Sequence, residues 1–360
     1  MASPTARLLD LLAPARRVAL VGLAKNTGKT ETLAAALREL EGAGIRVGVT
    51  SIGRDGEERD VIDARIVKPR VRLAAGSLVA TTGAMLRHSA LAHERLQQTG
   101  VRTPLGEVVI AELHEQGAIE VAGPSAAADV RAVSEAMSAL GAERVLIDGA
   151  IDRRAASSPG VADGLVMATG AVLDEDIERV VQLTRDAVEL VRLPRAGDAI
   201  ADAGDGPEAR GDASQSGEER MALERRLVLN AEPAEIAALL REHPRASTLL
   251  VDGALGERFL EGLIAARRER AGRELRIVVA DPTKVFLSRH GPGFYRRQGV
   301  AIETLHAIDL RAITVNPVAP RSHRFDSERL RELIEAAVGD VPVLDVLSPR
   351  YRATAAVARP

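Results

Sequence analysis

Gly28, Lys29 and Thr30 are three adjacent residues whose backbone and side chains could together hold a phosphate chain. A glycine at a helix start lets backbone N–H groups approach phosphate oxygens, a lysine adds a point charge, and the hydroxyl after it ligates Mg²⁺. The surrounding stretch, "LVGLAKNTGKTETL" over residues 20–33, departs from the usual spelling of such a loop, Gly-x-x-x-x-Gly-Lys-Ser/Thr. Leu23 stands where the first glycine is expected, and the nearest glycine, Gly22, comes one place too early. That first glycine only eases the turn out of a strand, so a longer threading of the loop preserves the chemistry. The expected ligand is ATP or GTP with Mg²⁺. Asn26, Thr27, Gly28, Lys29 and Thr30 would form the nucleotide site, with Lys29 acting on the β and γ oxygens and Thr30 on the ion.

Such a loop must be positioned by a strand and a helix, and both are legible. "RRVALVG" (16–22) is an apolar run that reads as a buried strand. Leu33, Leu37 and Leu40 recur at helical spacing among alanines, Gly42 and Gly44 stop the helix, and "IRVGVTSIG" (45–53) is the next strand. Strand, loop, helix and parallel strand form the βαβ unit that the motif requires. The core "NTGKT" is similar in composition to the TNGKT-like core of the ligases that build cell-wall peptides.

Mg²⁺ also calls for acids, because one hydroxyl and phosphates leave its coordination to water. Asp148 ends the apolar strand in "VLIDGA" and is the first candidate, with Lys29 the second catalytic residue. Asp55 in "TSIGRDGE" is the second candidate for the metal, since its region resembles the metal-side acid of dethiobiotin synthetase-like proteins; an Asp-Gly surface turn reads equally well. Glu112, late in "VVIAEL", ranks third. Lys25, Lys68, Arg70, Arg153 and Arg154 are cations that could face phosphate, and Thr283 with Lys284 follow a strand that could edge a second ligand site.

Composition removes other classes. The 360 residues are 46% hydrophobic but only 2% aromatic, without Trp, so the core must be aliphatic and a base-stacking surface is not expected. A net charge of −3 gives no general basic field for nucleic acid. The absence of cysteine excludes disulfides, thiolate catalysis and cysteine-held metals. The N-terminal residues are too weakly apolar for a signal peptide and no long uncharged apolar run occurs, so a cytoplasmic protein without membrane association is expected.

The remaining strands and helices alternate in both halves, predicting an α/β fold: a P-loop NTPase-type parallel sheet flanked by helices, followed by a second α/β half. "AIEVAGP" (118–124) reads as a strand, and 125–142 as a helix capped by Ser125. Residues 196–222 are acidic, rich in Gly, Ala and Ser and poor in large apolar groups, which predicts a flexible linker. The expected boundaries are therefore 1–195 for nucleotide binding, 196–222 for the linker and 223–360 for a second domain.

The motifs "GLAKNTGKT", "TSIGRDGE", "LIDGAIDRRA", "FLSRHGPGFYRRQG" and "ITVNPVAP" together resemble the P-loop subunit of the system that reactivates lysine 5,6-aminomutase. The resemblance implies an accessory ATPase that helps to exchange damaged cobalamin, with the aminomutase and a companion subunit as partners and a homodimer as a possible assembly. It carries Gly28, Lys29 and Thr30 over as nucleotide residues and Asp55 and Asp148 as Mg²⁺ residues. No Asp-x-His-x-x-Gly cobalamin motif is present, so the chain is not expected to be the mutase. A small-molecule kinase or an ATP-dependent ligase remains the alternative, and a nucleotide-sensing module with negligible turnover a further one.

Overall fold

A computed structural model describes residues 6–52, 70–150, 157–197, 219–223, 228, 231–269, 274–320 and 322–356. The chain divides into two compact units, Met1–Thr184 together with Asp309–Pro360, and Arg185–Ile308. The first opens with α1 (Leu8–Leu12), β1 (Arg17–Gly22), α2 (Lys29–Gly42) and β2 (Val47–Ser51). It continues through β3 (Val71–Leu73), β4 (Leu78–Thr82), α3 (Gly83–Ser89), β5 (His93–Thr103), β6 (Gly106–Leu113) and β7 (Gly117–Ile119). Next come α4 (Ala127–Ala139), β8 (Arg144–Ala150), β9 (Gly164–Gly170) and α5 (Ile177–Val191), inside which the unit boundary falls. The second unit holds β10 (Glu219–Leu223), α6 (Pro233–Glu242), β11 (Ala246–Val251), β12 (Leu255–Gly256) and α7 (Glu257–Glu269). It ends with β13 (Leu275–Val279), β14 (Val285–Phe286), α8 (Pro292–Arg297) and β15 (Val300–Thr304). The chain then returns to the first unit with β16 (Leu310–Asn316), α9 (Ser327–Val338), β17 (Val343–Leu344) and α10 (Pro349–Ala356).

Among the described residues, the first unit is built on a nine-stranded sheet in the order β17-β16-β9-β1-β8-β2-β4-β6-β5. The strands from β17 to β4 run parallel, and the β5–β6 hairpin adds an antiparallel edge. The α/β class read from the sequence is therefore present, with helices flanking a mostly parallel sheet. β1 is almost wholly buried, as strands covered on both faces are. α2 buries Leu33, Leu37 and Leu40, spaced to fall on one face, and each contributes roughly 1.5–3 kcal/mol of burial. Its polar end is tied down: Tyr351 Oη donates to Glu39 Oε1 at 2.5 Å, and the Leu9 N–H donates to Glu39 Oε2 at 3.0 Å. Burial, and then the charge of Glu39, push the Tyr351 hydroxyl well above its ordinary pKa, so it remains a proton donor.

Two expectations about organisation need correction. Residues 223–360 are not one second domain, because β16 pairs in parallel with β9 and β17 extends that same sheet. Alternating strands and helices look alike whichever sheet they join, and the open edge of β9 decides the matter. The linker is also shorter than composition suggested. Ala196 is buried and its N–H donates to Thr304 O, while residues 219–222 lie in β10. Residues 198–218 lie outside the described residues. On a smaller scale, the strand expected over 118–124 is the short β7, and α4 is preceded by Ala126 without a side-chain cap rather than by Ser125.

The second unit has a parallel sheet of its own, β10-β11-β13-β15, with Leu249, Ile277 and Ile302 packed in a core with Ile236, Phe259 and Leu263. At the start of α7, Glu257 accepts hydrogen bonds from Ser288 Oγ at 2.5 Å and from the N–H groups of Arg289 at 2.8 Å and His290 at 3.2 Å. Partial burial alone would raise its pKa, but these donors outweigh burial and lower it from 4.5 to about 2. The folded value lies below the unfolded one, so the unfolded chain binds more protons between them and the stability contribution grows with pH in that window. The contribution of Glu257 is therefore complete above about pH 4.5 and is lost as the pH falls through about 2. Denaturant titrations of the parent and Glu257→Gln between these limits should show a steeper loss with falling pH in the parent than in the variant. Parallel pH profiles would refute the assignment.

Candidate anion site at the end of the central strand

The first sheet reverses its direction of winding at β1. From β1 the chain moves outward through β2 and β4 to the hairpin, returns to β8 beside β1, and then crosses to β9, β16 and β17 on the other side. In open parallel sheets, a crevice for ligands lies beyond the carboxyl ends of the strands at such a reversal. The loop 23–28 leaves β1 there, and Asp148 sits near the end of β8, in register with Leu20 of β1 and Ser51 of β2.

The irregular spacing of the loop has a local explanation. A Cβ on Gly22 would lie 2.5 Å from Thr27 Oγ1, so Gly22 is required where it stands. Thr27 turns inward, 1% exposed, and its hydroxyl donates to Ala24 O at 2.9 Å. Asn26 adopts a left-handed backbone at φ 68°, and Gly28 follows at φ 91° as the residue before α2. The extra residue is thus absorbed by one inward side chain and one left-handed turn. Leu23 N–H donates to Ala168 O at 2.9 Å, which anchors the start of the loop on β9. The first N–H groups of α2 have no partner within the helix and carry the positive end of its dipole.

Lys29 Nζ lies 2.8 Å from Asp148 Oδ1, with side-chain exposures of 24% and 29%. The approach is a close ion pair, and Lys29 is the cation that compensates the solvent-shielded Oδ1. Removing that cation would leave a shielded charge uncompensated. The pair stands beside the positive end of α2.

Of the other expected site residues, Thr30 is exposed in the first turn of α2, and Asp55 lies outside the described residues. Glu112 is removed as a metal candidate. Its Oε2 accepts from Arg46 at 2.7 Å, and it pairs with Leu78, the first residue of β4, which places it at the opposite end of the sheet from the crevice. Lys25 is exposed in the loop, Arg70 meets His88 at 3.2 Å, and Lys68, Arg153 and Arg154 lie outside the described residues. Thr283 belongs to the second unit and is closed into a turn, its N–H and hydroxyl both donating to Asp281 Oδ1. Two clefts among the described residues, of about 450 and about 780 Å³, are lined by residues such as Arg38 and Tyr351 or Glu332 and Arg350, and neither includes the loop.

Sequence reasoning missed Asn316. Its Nδ2 donates to Asn26 O at 3.0 Å, across 290 positions of chain. The available signal was an asparagine ending an apolar strand in "AITVNP". Among the described residues no helix is long and apolar enough to cross a membrane, and no three His, Asp or Glu residues cluster to hold a metal by themselves. No protein-family model and no curated protein matches the chain.

Proposed function

We propose that the chain is a Mg²⁺-dependent P-loop nucleoside triphosphatase that binds ATP or GTP at residues 26–30 and acts as a reactivating accessory of a cobalamin-dependent aminomutase. The observation that carries the nucleotide half of this reading is the Lys29–Asp148 pair at 2.8 Å beside the glycine loop. In the proposed complex Lys29 would exchange Asp148 for the phosphate oxygens, the loop N–H groups would hold the phosphate chain, and Thr30 with Asp148 would hold the metal. The position of Asp148 near the end of β8, beside Lys29, fits that role. Asp55 remains a proposed further metal residue. When bound, Mg²⁺ neutralises charge on the phosphate oxygens. The protein's own contribution is to orient the phosphate chain and to set a fixed positive charge opposite it.

The accessory role is supported by the resemblance carried by "GLAKNTGKT", "LIDGAIDRRA", "FLSRHGPGFYRRQG" and "ITVNPVAP". The separate parallel sheet of the second unit favours a second reading, a small-molecule kinase or ATP-dependent ligase in which that unit binds the other substrate. The two readings diverge in a turnover assay. With an inactivated cobalamin-dependent aminomutase and its companion subunit, slow basal ATP hydrolysis should rise and mutase activity should recover only when ATP is present. Absence of recovery, with rapid phosphorylation or ligation of a small metabolite, would replace the accessory reading by the second.

A further inference from the structure

We infer that Asn316 is a positioning residue whose carboxamide holds the glycine loop in the backbone conformation that receives the anion. The inference deepens the nucleotide reading and rests on it for its ligand. Asn26 stands at φ 68°, a left-handed conformation that most residues with a Cβ avoid and that Asn adopts more readily than they do. The Asn316 Nδ2–H bond to Asn26 O, 3.0 Å, is made at that left-handed residue. The other end of the amide is committed as well: Oδ1 accepts from the Val318 N–H at 3.1 Å, which fixes which end of the amide faces the loop.

The surroundings leave room for this contact and nothing larger. A Cβ on Gly28 would lie 3.0 Å from Asn316 Cβ, and one on Gly170 would lie 2.2 Å from the Asn316 carbonyl oxygen. Thr314, two residues earlier on the same face of β16, places its hydroxyl 2.7 Å from that of Thr32, which in turn donates to Gly28 O at 3.1 Å. One strand thus contacts both the loop and the first turn of its helix. Asn316 is neutral and its donor is directed at a backbone carbonyl, so it acts through Asn26.

The test is a double-mutant cycle between positions 316 and 26. Asn316→Ala removes both amide bonds; Asn316→Asp keeps an acceptor for Val318 and loses the donor to Asn26. Asn26→Gly accepts a positive φ at little steric cost and should need the carboxamide less. The first readout is amide exchange of Leu23 and Thr32 without nucleotide, since their bonds to Ala168 and Gly28 bracket the loop. The second is the dissociation constant for Mg-ATP by calorimetry. With Asn26 present, both substitutions at 316 should speed exchange and weaken Mg-ATP roughly ten-fold. In the Asn26→Gly background, Asn316→Ala should weaken it by less than about two-fold. Equal losses in the two backgrounds, or exchange unchanged by Asn316→Ala, would overturn the inference. Exchange that follows the expected cycle in a parent that binds no Mg-ATP would sink the nucleotide reading while leaving the latch standing.

Discussion

Lys29→Ala should weaken Mg-ATP or Mg-GTP binding by about a hundred-fold or more, because two losses act in the same direction. The charge-assisted contacts from Nζ to the phosphate oxygens disappear. At the same time Asp148, whose solvent-shielded Oδ1 is met by Lys29 among the described residues, becomes an uncompensated negative charge beside the incoming phosphates. The same loss should lower stability, so the variant is best paired with Lys29→Ala/Asp148→Asn, in which the unpaired charge is gone. The double variant should recover stability while still binding nucleotide poorly. Calorimetric titration of the three proteins with Mg²⁺ present separates the terms. Parent-like affinity in both variants would refute a nucleotide site at this loop.

Asp148→Asn should behave differently, and the difference identifies its role. Its carboxylate faces the metal in the proposed complex, whereas Lys29 faces phosphate. The amide should keep nucleotide binding without Mg²⁺ within a few-fold of the parent, or improve it, since a negative charge is removed. Mg²⁺-dependent turnover should fall roughly 10²–10³-fold, because placement of the ion governs charge neutralisation as the phosphoryl group transfers. The measurement is single-turnover hydrolysis over a range of Mg²⁺ concentrations, together with nucleotide affinity in its absence. Unaltered turnover and Mg²⁺ dependence would remove Asp148 from the metal site. Asp55 would then be the acid to test, since Glu112 is committed to Arg46.

What the sequence determined by itself is local. β1, the loop and α2 were legible from residues 16–44 because an apolar run, a glycine whose backbone must turn and a 3.6-residue periodicity act over a few positions. The same kind of signal placed Asp148 at a strand end. Tertiary structure decided everything that depends on which strand lies beside which. Lys29 meets Asp148 because β8, though later in the chain than β2, inserts next to β1. Glu112 points to the wrong end of the sheet because β6 runs antiparallel to β4, a direction its own composition does not encode. The second half of the chain divides between two sheets because β16 adds to β9. That same addition brings Asn316 to Asn26. Backbone hydrogen bonding between strands is indifferent to side-chain identity and to separation along the chain, so strand order, and every contact that follows from it, is settled only when the whole sheet packs.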